Sequence, residues 1–170
     1  MAAGSDSAQD QARELVITRV IDAPRPLVFR AWTQPEHVAR WWGPRGFTTI
    51  RCEMDVRVAG AFRVGMRSPQ GTEHWKRGVY REIVEPERIV FTFAWENPGD
   101  GVPHDELLTT VTFDELGAKT RLTLRQGRFA DPRHRDSHAA GWSSTFERFA
   151  EYLASRFQVR RTEMRTESGH

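Results

Sequence analysis

The sequence predicts an α+β fold, in which an antiparallel sheet of about six or seven strands is covered on one face by a long C-terminal helix. Three observations support this. Residues 14–21 are β-branched and apolar, residues 24–42 contain two short helical segments, and residues 47–126 alternate with a period of two. The C-terminal segment returns to helical spacing. Because one helix must cover a whole sheet, we expect all helices on one side of it.

The first strand and the helices after it have readable ends. Asp22 and Pro24 end the strand at residues 14–21. Two short helices follow, of which the second begins at Thr33 and Pro35 and is stopped by Gly43-Pro44. This predicts that the N-terminal third of the domain follows a strand, helix, helix order.

The clearest strand of the sheet lies at residues 88–96, where one face carries mostly aromatic side chains. Those residues are Ile89, Phe91, Phe93 and Trp95. The register is ambiguous at residues 75–83, because alternation there implies either a β-bulge or a buried arginine. The segment at 97–103 is rich in Gly and Pro, and we expect it to form a mobile rim.

The last helix begins with favourable chemistry, since Asp131 can cap it and Pro132 suits its first position. We expect it to end near Phe157. An apolar stripe with helical spacing runs along it. The stripe is Trp142, Phe146, Phe149 and Leu153. These spacings predict that Trp142 and Phe146 face the aromatic strand at 88–96, and that Gly141 marks a close approach to another segment or to a ligand.

The sequence predicts one domain at residues 14–158, flanked by disordered polar segments at 1–13 and 159–170. The single cysteine, Cys52, excludes an intramolecular disulfide and favours a reducing compartment, the cytoplasm. We expect no membrane insertion, because the N-terminal segment has no apolar run. The 25 basic and 23 acidic residues are interspersed, so we expect no nucleic-acid partner.

Three segments, at residues 21–44, 78–95 and 138–154, resemble the family named after the activator of the heat-shock-protein-90 ATPase. That family is part of the START-like (SRPBCC) superfamily with the helix-grip fold. The resemblance implies a curved sheet wrapped around the long helix, with a hydrophobic cavity between them. Residues 56–63, VRVAGAFR, depart from the Pro-Gly-Gly-type turn that relatives commonly have there. The superfamily includes lipid carriers, hormone sensors, cyclases and co-chaperone domains, so its members do not share one ligand.

Six tryptophans and ten phenylalanines are the strongest physical signal for such a cavity. Trp41 and Trp42 are consecutive on a helix and point about 100° apart, so at least one should line the mouth or the surface. The candidate cavity-lining residues are Trp41, Trp42, Phe62, Trp75, Tyr80, Phe91, Phe93, Trp95, Phe113, Trp142 and Phe146.

The sequence assigns no catalytic residue, metal or cofactor. His134 and His138 have the spacing of helical zinc ligands, but their segment is polar, which indicates two solvated histidines. No nucleophile elbow, P-loop or dinucleotide-binding motif occurs. Residues that could perform acid–base chemistry if they point into the cavity are Glu53, His74, Glu82, His104 and Glu106.

The leading hypothesis is therefore the binding of a small hydrophobic or amphipathic molecule in the cavity. One alternative is an enzyme of the cyclase or hydrolase kind that uses the same cavity. The other is a protein-interaction module that modulates a chaperone ATPase through its outer surface. A chaperone partner or a homodimer stays open at this stage.

Overall fold

The computed structural model describes residues 13–96 and 106–167, with side chains as far as residue 156. Residues 1–12 and the expected rim loop at 97–103 lie outside these ranges. The elements are β1 (Leu15–Ile21), α1 (Arg25–Thr33), α2 (Pro35–Trp41), β2 (Thr48–Met54), β3 (Ala61–Arg67), β4 (Glu73–Val84), β5 (Arg88–Trp95), β6 (Leu107–Leu116), β7 (Lys119–Gly127) and α3 (Pro132–Glu167). The predicted α+β helix-grip fold is confirmed.

The seven strands form one antiparallel sheet in the order β1-β7-β6-β5-β4-β3-β2. Strands β2 to β7 are sequential neighbours, as expected for a meander. β1 lies at the edge opposite β2, so the connection from β1 to β2 must cross the sheet. α1 and α2 make that crossing, and Gln34 separates them because a residue before proline disfavours helical backbone.

The core lies between the sheet and α3. Phe91 and Phe93 on β5 are at most 4% exposed, and the whole predicted stripe of α3 from Trp142 to Leu153 is buried. Each such side chain contributes about 1.5–3 kcal/mol when it leaves water. These contacts confirm that α3 covers the aromatic face of the sheet.

A β-bulge in β4 resolves the ambiguous register. Tyr80 pairs with Phe91 and Glu82 pairs with Val90, which leaves Arg81 without a partner residue across the strand pair. The bulge resets the alternation, so that Tyr80 and Ile83 both face the core. On the N-terminal side of the bulge the even-numbered residues face inward, and this places Lys76 toward α3.

Asp131 caps α3 as predicted, because the amide of Arg133 donates a 2.9 Å hydrogen bond to its carboxylate. The helix continues to Glu167, about ten residues past the expected end near Phe157. Residues 159–167 are therefore helical where the sequence predicted the start of a disordered tail. No proline or glycine lies between Trp142 and Ser168, so nothing in the local chemistry stops the helix earlier.

Candidate functional site

A cavity of about 190 Å³ lies between α3, the sheet and the segment that follows α2. One side is aromatic and the other carries histidine, lysine and hydroxyl groups. Its wall is formed by Trp42, Gly43, Pro44, Phe47, Met66, His74, Lys76, Trp95, Ser137, His138, Gly141, Trp142 and Thr145. Residues from five separate parts of the chain therefore meet at this place.

The end of α2 divides the roles of its two consecutive tryptophans. Trp41 is the last helical residue, and its indole N–H donates a 2.9 Å hydrogen bond to the carbonyl of Ala31 in the core. Trp42 has extended backbone, with ψ of 135°, so its ring turns toward the cavity. There the ring lies 5.5 Å from that of Trp142, centroid to centroid. Of the two tryptophans, Trp42 therefore lines the cavity wall and Trp41 lies in the core.

Gln126 on β7 holds the polar back wall together. Its carboxamide oxygen lies 2.9 Å from Nδ1 of His138 and accepts a 3.1 Å hydrogen bond from the indole of Trp142. Its amide nitrogen donates to the hydroxyl of Thr109. Gln126 is only 1% exposed, and these contacts satisfy both the oxygen and the nitrogen of its buried carboxamide.

His138 is held as a neutral imidazole by this arrangement. The Trp95 indole donates to Nε2 at 3.4 Å, so Nε2 is an acceptor and Nδ1 carries the proton that Gln126 receives. Burial, with the charge of Lys76 and the neighbouring His134, lowers the pKa of His138 to about 3. The imidazole therefore stays uncharged at neutral pH.

Lys76 is the cation of the cavity wall. Its ammonium lies 4.2 Å from the ring centre of Trp95, 4.9 Å from that of Phe93 and 5.8 Å from that of Trp42. Burial lowers its pKa to about 7. Within residues 13–96 and 106–156, no carboxylate forms an ion pair with it. The aromatic faces offer partial compensation through cation–π attraction.

Arg148 on α3 fastens the segment that forms the cavity rim. Its Nη1 lies within 3.3 Å of four backbone carbonyl oxygens at positions 42, 43, 44 and 47. The amide of Arg45 also donates to the Ser144 hydroxyl. The rim is thus attached to the same helix that forms the opposite wall.

A second, smaller void of about 20 Å³ lies deeper, on the other side of Trp42. It is large enough for about one water molecule. The indole N–H groups of Trp32 and Trp42 are buried and have no hydrogen-bond partner in the described part of the chain. At about 20 Å³ the void holds nothing larger than a water molecule.

The candidate residues from the sequence fall into five places. Trp42, Trp95 and Trp142 line the cavity, and Phe62, Tyr80 and Phe91 line the small void. Phe93 lies behind the cavity wall, between Lys76 and Trp142. Trp41, Phe113 and Phe146 are at most 1% exposed and lie in solid core. The remaining candidate, Trp75, lies on the opposite face of the sheet.

Trp75 corrects an expectation that depended on the strand register. It precedes Lys76, so the strand alternation that turns Lys76 inward turns Trp75 outward. Its ring lies across Gly65, where an added Cβ would meet the indole at 2.6 Å. The guanidinium of Arg63 stacks 4.0 Å from the ring centre. Trp75 therefore packs on the outer face, away from the cavity.

The histidine pair also differs from the expectation of two solvated side chains. His138 is 8% exposed and fully hydrogen-bonded, and its ring lies 4.6 Å from that of His134. The ring of Phe129 packs against both, and His134 is partly buried. In the described residues, no group of three or more His, Cys, Asp or Glu is arranged to hold a metal ion.

Of the acid–base candidates, only His74 lies in the cavity wall. Glu53 pairs with Arg51 at 2.7 Å, Glu82 pairs with Arg88, and both pairs are exposed. Glu106 is exposed, and His104 lies outside the described residues. The candidate residues taken from the sequence did not include Lys76 or Gln126. Gln126 had a readable signal, because it continues the inward alternation of Leu122 and Leu124, whereas Lys76 required the position of the bulge.

The fold and the cavity together define a helix-grip protein with an internal pocket. Residues 22–154 match the family model described as Activator of Hsp90 ATPase homolog 1-like protein, so the chain belongs to that family. A search of curated proteins finds no match. No helix among the described residues is long and apolar enough to cross a membrane.

Solved structures agree with this assignment. Protein CV1439 from Chromobacterium violaceum is 29% identical with a TM-score of 0.72, covering 82% of this chain and 95% of its own. Protein NE0264 from Nitrosomonas europaea is 24% identical with a TM-score of 0.74, covering 88% and 99%. The AHSA1 protein SPO3351 from Silicibacter pomeroyi is 21% identical with a TM-score of 0.74, covering 84% and 99%. Because the last two are less than 25% identical to this chain, they show only that the fold is shared.

Proposed function

We propose that the protein binds a small, largely apolar molecule with one polar group in the cavity beside α3. The observation that carries the proposal is the wall itself, where Trp42, Trp95 and Trp142 meet the polar side chains of His74 and Lys76. Ligand pockets typically combine such apolar surface with a few converging polar groups.

The volume of the cavity limits the size of the ligand. An apolar cavity of about 150 Å³ accepts benzene, and the cavity here has about 190 Å³. Sites for larger ligands generally have about 300–1,000 Å³. The proposal is therefore a molecule of about one ring, and the size argues against a lipid with long acyl chains.

Tryptophan indole signals in a nitrogen–proton NMR spectrum provide the test. Titration with benzamide, a neutral single-ring probe, should shift the signals of Trp42, Trp95 and Trp142. The signal of Trp75 should stay in place, because its ring lies on the outer face of the sheet. Absence of any shift with millimolar benzamide and with its charged analogue benzoate, or a shift of Trp75 alone, would contradict binding in this cavity.

The two alternatives make different demands. An enzyme would need an acid, base or nucleophile in the cavity, and His74 or Lys76 would have to fill that role, because both nitrogens of His138 are in hydrogen bonds and burial raises the pKa of Cys52 to about 11. Action on a chaperone ATPase, which the family description names, would depend on the outer surface. Charge reversals such as Arg121→Glu would then abolish that activity and leave benzamide binding unchanged.

A further inference from the structure

We infer that the polar group of the ligand is a carboxylate, which pairs with the ammonium of Lys76 while a ring lies against Trp42 and Trp142. This inference rests on the proposed function and gives the chemical class of the ligand. It is carried by the position of one cation at the wall of a cavity of about 190 Å³.

The charges around Lys76 favour an anion. The wall contains no aspartate or glutamate among the described residues, so an anionic ligand meets no like charge there. The side chains of β5 that surround the ammonium are the rings of Phe93 and Trp95, which carry no formal charge. A carboxylate would supply hydrogen bonds that aromatic faces cannot supply in full.

The titratable groups near Lys76 come from its own strand and from α3. His74 lies two residues away on the same face of β4, and His138 faces it from α3. The residue that pairs with Lys76 on β3 is Val64, which is apolar. His138 stays neutral, since its pKa is about 3. Lys76 is therefore the one lysine or arginine among the described wall residues that a ligand anion would meet.

The apolar body of the ligand has a defined place. Trp42 and Trp142 approach each other edge to face, with ring centres 5.5 Å apart, and both line the same cavity as Lys76. A ring against these indoles gains the contacts that aromatic pairs prefer. A single-ring carboxylate therefore satisfies the size, the apolar surface and the unpaired charge together.

The test compares benzoate with benzamide, which has nearly the same shape but no charge. At pH 6 we expect wild-type protein to bind benzoate at least tenfold more tightly than benzamide, measured by calorimetry and by the indole signals. Lys76→Met should bring the two affinities within about twofold of each other. Lys119→Met changes the only other lysine, which is exposed, and should keep the wild-type preference.

The pH dependence gives an independent measurement. The pKa of Lys76 is about 7 in the free protein, so a carboxylate that needs the charged form must bring a proton with it above that pH. Benzoate affinity should then fall by up to tenfold for each pH unit above 7, and benzamide affinity should stay level. Lys76→Met should remove this dependence.

The outcomes separate the two proposals. Binding of neither probe to wild-type protein would overturn the proposed function and this inference with it. Equal binding of benzoate and benzamide, or a benzoate preference that survives in Lys76→Met, would overturn the carboxylate inference alone. The variant should fold, because it removes a charge that burial disfavours, and circular dichroism at each pH checks this.

Discussion

Nδ1 of His138 on α3 lies 2.9 Å from the carboxamide oxygen of Gln126 on β7, behind the cavity wall. The same oxygen accepts from the indole of Trp142 at 3.1 Å. One strand residue thus orients two side chains of the long helix, one polar and one aromatic. This arrangement links the stability of the domain to the shape of the cavity.

Gln126→Leu should destabilise the protein by about 2–4 kcal/mol, because it leaves the buried donors of His138 and Trp142 without an acceptor. Urea unfolding gives this value from the shift of the midpoint at an unchanged m-value. Gln70→Leu is the control, since Gln70 is exposed in the β3–β4 turn and should change stability by less than about 0.5 kcal/mol. A loss below about 1 kcal/mol for Gln126→Leu would contradict the network.

Stability should fall as the pH is lowered from about 6.5 toward 3, in part because of His138. The pKa of His138 is about 3 in the folded protein, whereas an unfolded histidine has a pKa of about 6.5. Between these values the unfolded chain takes up a proton that the folded chain does not, so folding loses up to about 1.4 kcal/mol per pH unit. The difference in unfolding free energy between wild type and His138→Gln, measured from pH 7 to pH 4, isolates this effect. A difference that does not change with pH would refute it.

Gly141→Ala should stabilise the protein and weaken ligand binding at once. Beyond its own helix, an added Cβ would meet only Pro44, at 4.0 Å, and alanine gains about 1 kcal/mol over glycine in a helix. A close approach of another segment to Gly141 is thus absent among the described residues, and the methyl group would occupy cavity space instead. Thermal unfolding and benzamide titration measure the two effects.

Ala140→Gly is the matched control for that change. Ala140 is an exposed neighbour on the same helix, so its replacement should lose about 1 kcal/mol of stability. Benzamide affinity should not change. If Gly141→Ala leaves binding unaffected, the cavity beside α3 is not the binding site.

Arg148→Met should loosen the rim of the cavity. It removes a donor that reaches four carbonyls between positions 42 and 47, and we expect a loss of about 1–3 kcal/mol. Hydrogen exchange at residues 43–47 should become faster, and probes should dissociate faster. Arg45→Met is the control, because its ion pairs with Glu147 and Glu151 are exposed and contribute at most about 1 kcal/mol. Equal effects of the two changes would argue against a role for the hydrogen bonds of Arg148 in holding the cavity rim.

Ala59→Gly should stabilise the turn before β3 by about 0.5–1 kcal/mol. Ala59 has a φ of +69°, in the left-handed region where a Cβ is unfavourable and glycine is not. The turn lies within residues 56–63, the segment that departs from the Pro-Gly-Gly-type turn. Ala118→Gly, in the β6–β7 turn where only Gly117 has a positive φ, is the control and should bring no gain. A destabilised Ala59→Gly variant would show that the strain is absent.

The sequence determined the order of elements because that order depends on local periodicity. The period-two stretch at 47–126 became the six strands β2 to β7, and the stripe from Trp142 to Leu153 became the buried face of α3. Capping by Asp131 is also local chemistry, and it was readable for the same reason.

Only the tertiary structure decided which side chains meet at the cavity. The bulge at Arg81 turns Lys76 inward and Trp75 outward, and nothing in the alternation of β4 alone gives its position. Trp42 reaches the cavity because α2 ends one residue before it, and His138 is buried because Phe129 and Gln126 pack against it. A one-residue change of register moves every side chain of a strand to the other face, so site geometry depends on pairing between distant segments.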